Sequence, residues 1–83
     1  MRSGRCPVVR AYVLIEMMAG HSRNLVNALQ GREGIREVAR VTGPYDVIAV
    51  MEGRDVDEIS NAVTDEIHSQ AGVVRTTTCV SLA

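Results

Sequence analysis

Few residues in this chain combine a reactive side chain with unusual surroundings, and the least ordinary of them are Gly43-Pro44-Tyr45-Asp46. A plain turn accounts for all four: Pro44 fixes φ, Gly43 supplies freedom, and Asp46 can bond nearby backbone N–H groups. A functional reading places Tyr45 and Asp46 at the rim of a sheet, where a phenol and a carboxylate can meet a polar ligand such as an ammonium group. Thr76-Thr77-Thr78 is the second such stretch. Threonine favours strands anyway. Alternation, however, puts Val74, Thr76, Thr78 and Val80 on one face, and hydroxyls on an otherwise apolar face can orient a small ligand.

The remaining candidates carry less. His21 and His68 have no acidic or thiol partner at ligand spacing, so they read as solvated or capping histidines and no metal or cofactor is expected. Ser22 lacks the Gly-x-Ser-x-Gly context of an activated serine, and a helix cap is the better reading. Asp55, Asp57, Glu58, Asp65 and Glu66 make an acidic helix, with the first three where a helix N-terminus favours negative charge. Cys6 and Cys79 stand far apart, without zinc or redox spacing, and are expected to be free thiols. No base and nucleophile pair emerges, so no catalytic residue is assigned.

Composition narrows the class further. With 83 residues the chain is one domain near the size at which a single core is marginal. Hydrophobic residues make up 46% of it, but Trp and Phe are absent, so the core is aliphatic. Small aliphatic cores gain from oligomerisation. Nine basic against ten acidic residues, without a Lys/Arg cluster, disfavour direct nucleic-acid binding. No apolar run is long enough to span a bilayer, and Met1 to Pro7 lacks the apolar middle of a signal peptide, so a cytoplasmic protein is expected.

The elements that must position Tyr45 and the threonines follow from periodicity. Residues 1–7 read as a flexible lead-in to a single domain over 8–82. Val8 to Met17 is apolar on both alternating faces, as a central strand is. Ser22 opens a helix whose Leu25, Val26, Ala28 and Leu29 recur at helical spacing. Ile35 to Thr42 interleaves charges and suits a sheet edge. Asp46 to Glu52, across the Gly43-Pro44-Tyr45 turn, completes a hairpin with a central strand. Asp55 and Glu58 resemble a capping box for a helix that places Val56, Ile59, Ala62, Val63 and Ile67 on one face. Val73 to Leu82 is the last strand.

A shift of 38 superposes the halves, Leu25 on Val63, Leu29 on Ile67 and Val9 on Val47, so the order is βαβ twice. Right-handed crossovers then favour an α+β, ferredoxin-like βαββαβ fold: a four-stranded antiparallel sheet with both helices on one face. The central strands are apolar on both faces and the helices can cover only one. The other face calls for cover from outside the chain, most economically the same face of a second copy.

The element order, the stretch Val-Thr-Gly-Pro-Tyr-Asp-Val-Ile-Ala-Val-Met-Glu from Val41 to Glu52, and Gly72-Val73-Val74-Arg75-Thr76-Thr77-Thr78 together resemble the effector-binding domain of the Lrp/AsnC transcription regulators. The resemblance spans Val8 to Leu82. It implies a domain that dimerises through its sheets, can assemble to rings of four dimers, and binds an amino acid or similar small metabolite at contacts between dimers. The family's turn positions fall on Gly43, Tyr45 and Asp46, and its last-strand positions on Val74, Thr76 and Thr78. Full-length members carry a helix-turn-helix domain ahead of this one. Here only Met1 to Pro7 precede the first strand, so the resemblance is to the stand-alone form, acting on transcription through a full-length partner. Beside this binding module stand two rivals on the same fold, a small enzyme and a purely structural oligomerisation module.

Overall fold

The computed structural model describes residues 8–82; the lead-in 1–7, with Cys6, lies outside the described residues. The elements follow one another as β1 (Val9–Met17), α1 (Ser22–Leu29), β2 (Ile35–Arg40), β3 (Val47–Gly53), α2 (Val56–Ala62, continued by a π-helical turn Val63–Ile67) and β4 (Val73–Val80). The sheet is antiparallel throughout, in the order β2-β3-β1-β4. β1 and β3 therefore lie centrally and β2 and β4 form the edges, as the charge interleaving of β2 and the apolar runs of β1 and β3 anticipate.

Strand alternation sorts the side chains. Ala11, Val13, Ile15 and Met17 of β1 and Val47, Ala49 and Met51 of β3 point to the helices and are buried against Leu25, Leu29, Ile59, Val63 and Ile67. Full burial of each larger aliphatic side chain contributes roughly 1.5–3 kcal/mol relative to exposure. The repeat is visible in this core, since Leu25 and Leu29 on one helix match Val63 and Ile67 on the other, all four buried. The helical face of α2 is narrower than its spacing suggests, because Val56 is 47% exposed.

Opposite the helices lies an open face. Its centre is Tyr12, Leu14, Ile48 and Val50, with Tyr12 exposed and the other three half-buried. Ion pairs flank that centre at both ends. Arg10 meets Glu52 at 2.7 Å and Arg36 meets the same carboxylate at 3.7 Å, while Arg75 and Glu16 lie 3.7 Å apart. Hydrogen bonds to Glu52 first, and then to Tyr12, hold Arg10 above its ordinary value. Cys79 is a free, exposed thiol paired in register with Tyr12.

The helix starts differ. Asp55 accepts from the Glu58 N–H at 2.8 Å, and the Glu58 carboxylate accepts from the Arg54 N–H at 2.6 Å, a reciprocal cap worth about 1 kcal/mol. Ser22 does not cap α1: His21 occupies the cap position, in helical backbone, and makes no side-chain cap bond. The strand ends are also shorter than the β-rich runs, β2 stopping at Arg40 and β4 at Val80.

Val47 is fully buried among the helices, whereas its neighbour Ile48 faces the open side. Val47→Asp should therefore cost several kcal/mol, as burial of an unpaired carboxylate does. Ile48→Asp, which leaves the core of the single chain intact, should cost distinctly less when its unfolding by urea is compared with that of Val47→Asp, both as monomers. Equal losses from both would contradict a core on one side only.

Candidate functional site

The Gly43-Pro44-Tyr45-Asp46 turn lies at the end of the sheet where β1 finishes and β4 begins. Gly43 takes φ of +125°, which side chains with a Cβ rarely adopt, and it is exposed together with Pro44. Asp46 ties the turn to β1. Its backbone N–H donates to the Ile15 carbonyl at 2.9 Å, and its carboxylate Oδ2 accepts from the Met17 N–H at 2.8 Å. Its carbonyl accepts from the Val41 N–H at 2.9 Å, which closes the hairpin. Tyr45 reaches further, bringing its hydroxyl 3.3 Å from Thr77 Oγ1 on β4.

β4 keeps the expected alternation of Thr76, Thr78 and Val80 on one face, and a bulge takes only Val74 out of it. The register pairs Glu16 with Arg75 but Met17 with Val73, so Val74 is the extra residue of a bulge. Beyond it, Thr76, Thr78 and Val80 pair with Ile15, Val13 and Ala11, on the helix side. Arg75, Thr77 and Cys79 pair with Glu16, Leu14 and Tyr12, on the open side. Thr76 is bonded to the end of the second helix, its Oγ1 lying 2.9 Å from His68 Nε2. The structure thus gathers Gly43, Tyr45 and Asp46 with the start of β4 at one end of the sheet. It divides Thr76 and Thr78 from Tyr45 by the thickness of the sheet, with Val74 exposed at the bulge between.

Thr77 is the partner that alternation missed. Alternation sets Thr77 on the face opposite Thr76 and Thr78, and which of the two faces meets the turn is fixed by the register with β1, which residue type does not announce. His21 and His68 also come to this end. Gly72 has φ of +88° and sits so close to His21 that a methyl group there would collide with the imidazole. The Met18 N–H donates to the Gly72 carbonyl at 2.7 Å, locking the start of β4 to the end of β1.

A separate groove of about 650 Å³ opens at the opposite end of the sheet, floored by Met51, Ile59 and Ala62. Its rim is charged, with Arg54 3.7 Å from Glu58, and with Glu66 3.8 Å from Arg32 but with its buried Oε1 lacking a hydrogen-bond partner among the described residues. Among the described residues no three His, Cys, Asp or Glu side chains converge as a metal site would require. No helix among them is long and apolar enough to cross a membrane.

Comparison with known proteins agrees with this architecture. The family described as the Lrp/AsnC ligand binding domain matches residues 10–83. The chain is similar to TTHA0845 from Thermus thermophilus, with 36% identity and a TM-score of 0.85 over 90% of this chain and 94% of that one. It shares its fold with AsnC of E. coli at 18% identity and a TM-score of 0.83, over 90% of this chain and 51% of that one. It also shares its fold with the transcriptional regulator NMB0573 from Neisseria meningitidis, solved as an L-Met complex, at 18% identity and a TM-score of 0.80. That match covers 90% of this chain and 50% of the regulator, so the chain spans about half the length of these two proteins. No curated protein matches the chain.

Tyr45 lies outside the buried core cluster and holds one hydrogen bond, to Thr77. Tyr45→Ala should therefore lower stability by no more than about 1–2 kcal/mol in chemical denaturation. A larger loss would show that the phenol is a structural prop and not a side chain available to a ligand.

Proposed function

The chain belongs to the Lrp/AsnC ligand-binding domain family, and from that premise we propose that it is an effector-binding and oligomerisation module for an amino acid or similar small metabolite. Two copies pack open face to open face. Tyr12, Leu14, Ile48 and Val50 supply an apolar centre, and the Arg10–Glu52–Arg36 and Glu16–Arg75 groups supply a polar rim. Dimers assemble further, towards an octamer, and the ligand biases the assembly through its differential affinity for the alternatives.

The observation that carries this reading is the turn at the rim of that open face. A phenol stands there on a rigidly tied backbone with a single exchangeable hydrogen bond, to Thr77. The ligand site is drawn from Gly43, Tyr45, Asp46, Val74, Thr76 and Thr78, and Thr77 joins it as the hydrogen-bond partner of Tyr45. The L-Met complex of the Neisseria regulator supports an amino acid as the ligand class. Any effect on transcription passes through a full-length regulator of the family, in the cytoplasm, with this chain as a binding module and not an enzyme.

The test is a thermal-shift screen of the standard amino acids, with particle mass followed by light scattering in parallel. A ligand at about 100 times its Kd adds roughly 2.7 kcal/mol of stability. A selective stabilisation that shifts the mass distribution is the expected result. An oligomer that no amino acid stabilises would instead favour a purely structural module.

A further inference from the structure

We infer that Asp46 is a positioning residue of the ligand turn: its carboxylate fixes the backbone that aims Tyr45, and does not itself read the ligand's charge. This rests on the effector reading given above. Three of the four polar atoms of Asp46 are engaged by its own fold, and only carboxylate Oδ1 is left over. Its N–H, its carbonyl and carboxylate Oδ2 each hold a backbone partner, at Ile15, Val41 and Met17, all at 2.8–2.9 Å. Three bonds from one residue to two separate segments make it the joint between the hairpin and β1.

The Met17 N–H explains why the side chain is needed. Met17 is the last residue of β1 and is buried, at the bulge where the pairing with β4 skips Val74. A buried amide left without a partner is costly, and a carboxylate acceptor makes the bond stronger than a neutral one. The adjacent Met18 N–H goes to Gly72. Two successive amides at the end of β1 and just beyond it are thus satisfied by the two segments that frame the site, Met17 by the turn and Met18 by the lead into β4. Tyr45 precedes Asp46 directly, so fixing Asp46 fixes the base of the phenol, and the side chain's reach to Thr77 follows.

A contact role and a positioning role predict different things for an uncharged, isosteric replacement. Asp46→Asn keeps an oxygen for the Met17 N–H and discards the charge; Asp46→Ala discards both. The experiment compares wild type, Asp46→Asn and Asp46→Ala by NMR, following Met17 amide exchange and the NOEs between the Tyr45 ring and the Thr77 methyl group. Binding of the panel of standard amino acids is measured by calorimetry on the same proteins.

The expected result is that Asp46→Ala exposes the Met17 amide to exchange, loses the Tyr45–Thr77 NOEs and weakens binding by about tenfold or more, the scale of one lost buried hydrogen bond. Asp46→Asn restores the NOEs and recovers most of the affinity. Persistence of the Tyr45–Thr77 NOEs in Asp46→Ala would overturn the inference. So would an Asp46→Asn protein with a protected Met17 amide and intact NOEs that binds as poorly as Asp46→Ala, because the charge would then be what the ligand reads. If the wild type binds no amino acid, the effector reading fails, and the NOE comparison still decides whether Asp46 positions Tyr45.

Discussion

A sheet has two faces, and the described elements of this chain cover only one of them. The two central strands are apolar on both sides, yet both helices pack against the same side, where Val13, Ile15, Val47 and Ala49 are fully buried. Everything else about the molecule answers to that imbalance. Right-handed crossovers set the face that each helix takes, and each βαβ half repeats the same placement, so doubling the motif doubles the helices on one side only. The uncovered face keeps its aliphatic centre, and ion pairs rather than loops border it.

The end of the sheet that carries the Tyr45 turn is built largely by backbone hydrogen bonds. The last amide of β1, at Met17, and the next one, at Met18, receive acceptors from the Asp46 turn and from Gly72. These bonds join the two connections that precede β3 and β4 into one rim, and Tyr45 spans it to Thr77. Because the rim adjoins the open face, a ligand there and a second copy on that face would contact neighbouring parts of one surface. In the reading proposed here, that adjacency is what couples binding to assembly.

Much of this was legible in the sequence. The 3.6-residue spacing of Leu25 and Leu29, and of Ile59, Val63 and Ile67, reports burial directly, and the apolar runs of β1 and β3 mark the centre of the sheet. The 38-residue repeat identifies the topology because each half must bury the same kind of helix face. What escaped was decided by backbone geometry that side-chain type does not encode. Ser22 has the chemistry of a cap, but the chain enters α1 one residue earlier, through His21. Thr76 and Thr78 alternate correctly with each other, yet the bulge at Val74 and the turn's position put Thr77, not its neighbours, beside Tyr45. The backbone role of the Asp46 carboxylate escaped because its partner, the N–H of Met17, is contributed 29 residues away.

The most direct test of the account is the mass of the chain in solution, measured by sedimentation equilibrium across the micromolar range. The one-sided core predicts a dimer or a multiple of dimers that persists on dilution, and its shift towards monomer in Ile48→Asp. A wild-type chain that is folded and monomeric throughout that range would show that the open face is stable in water on its own, and would contradict the central claim.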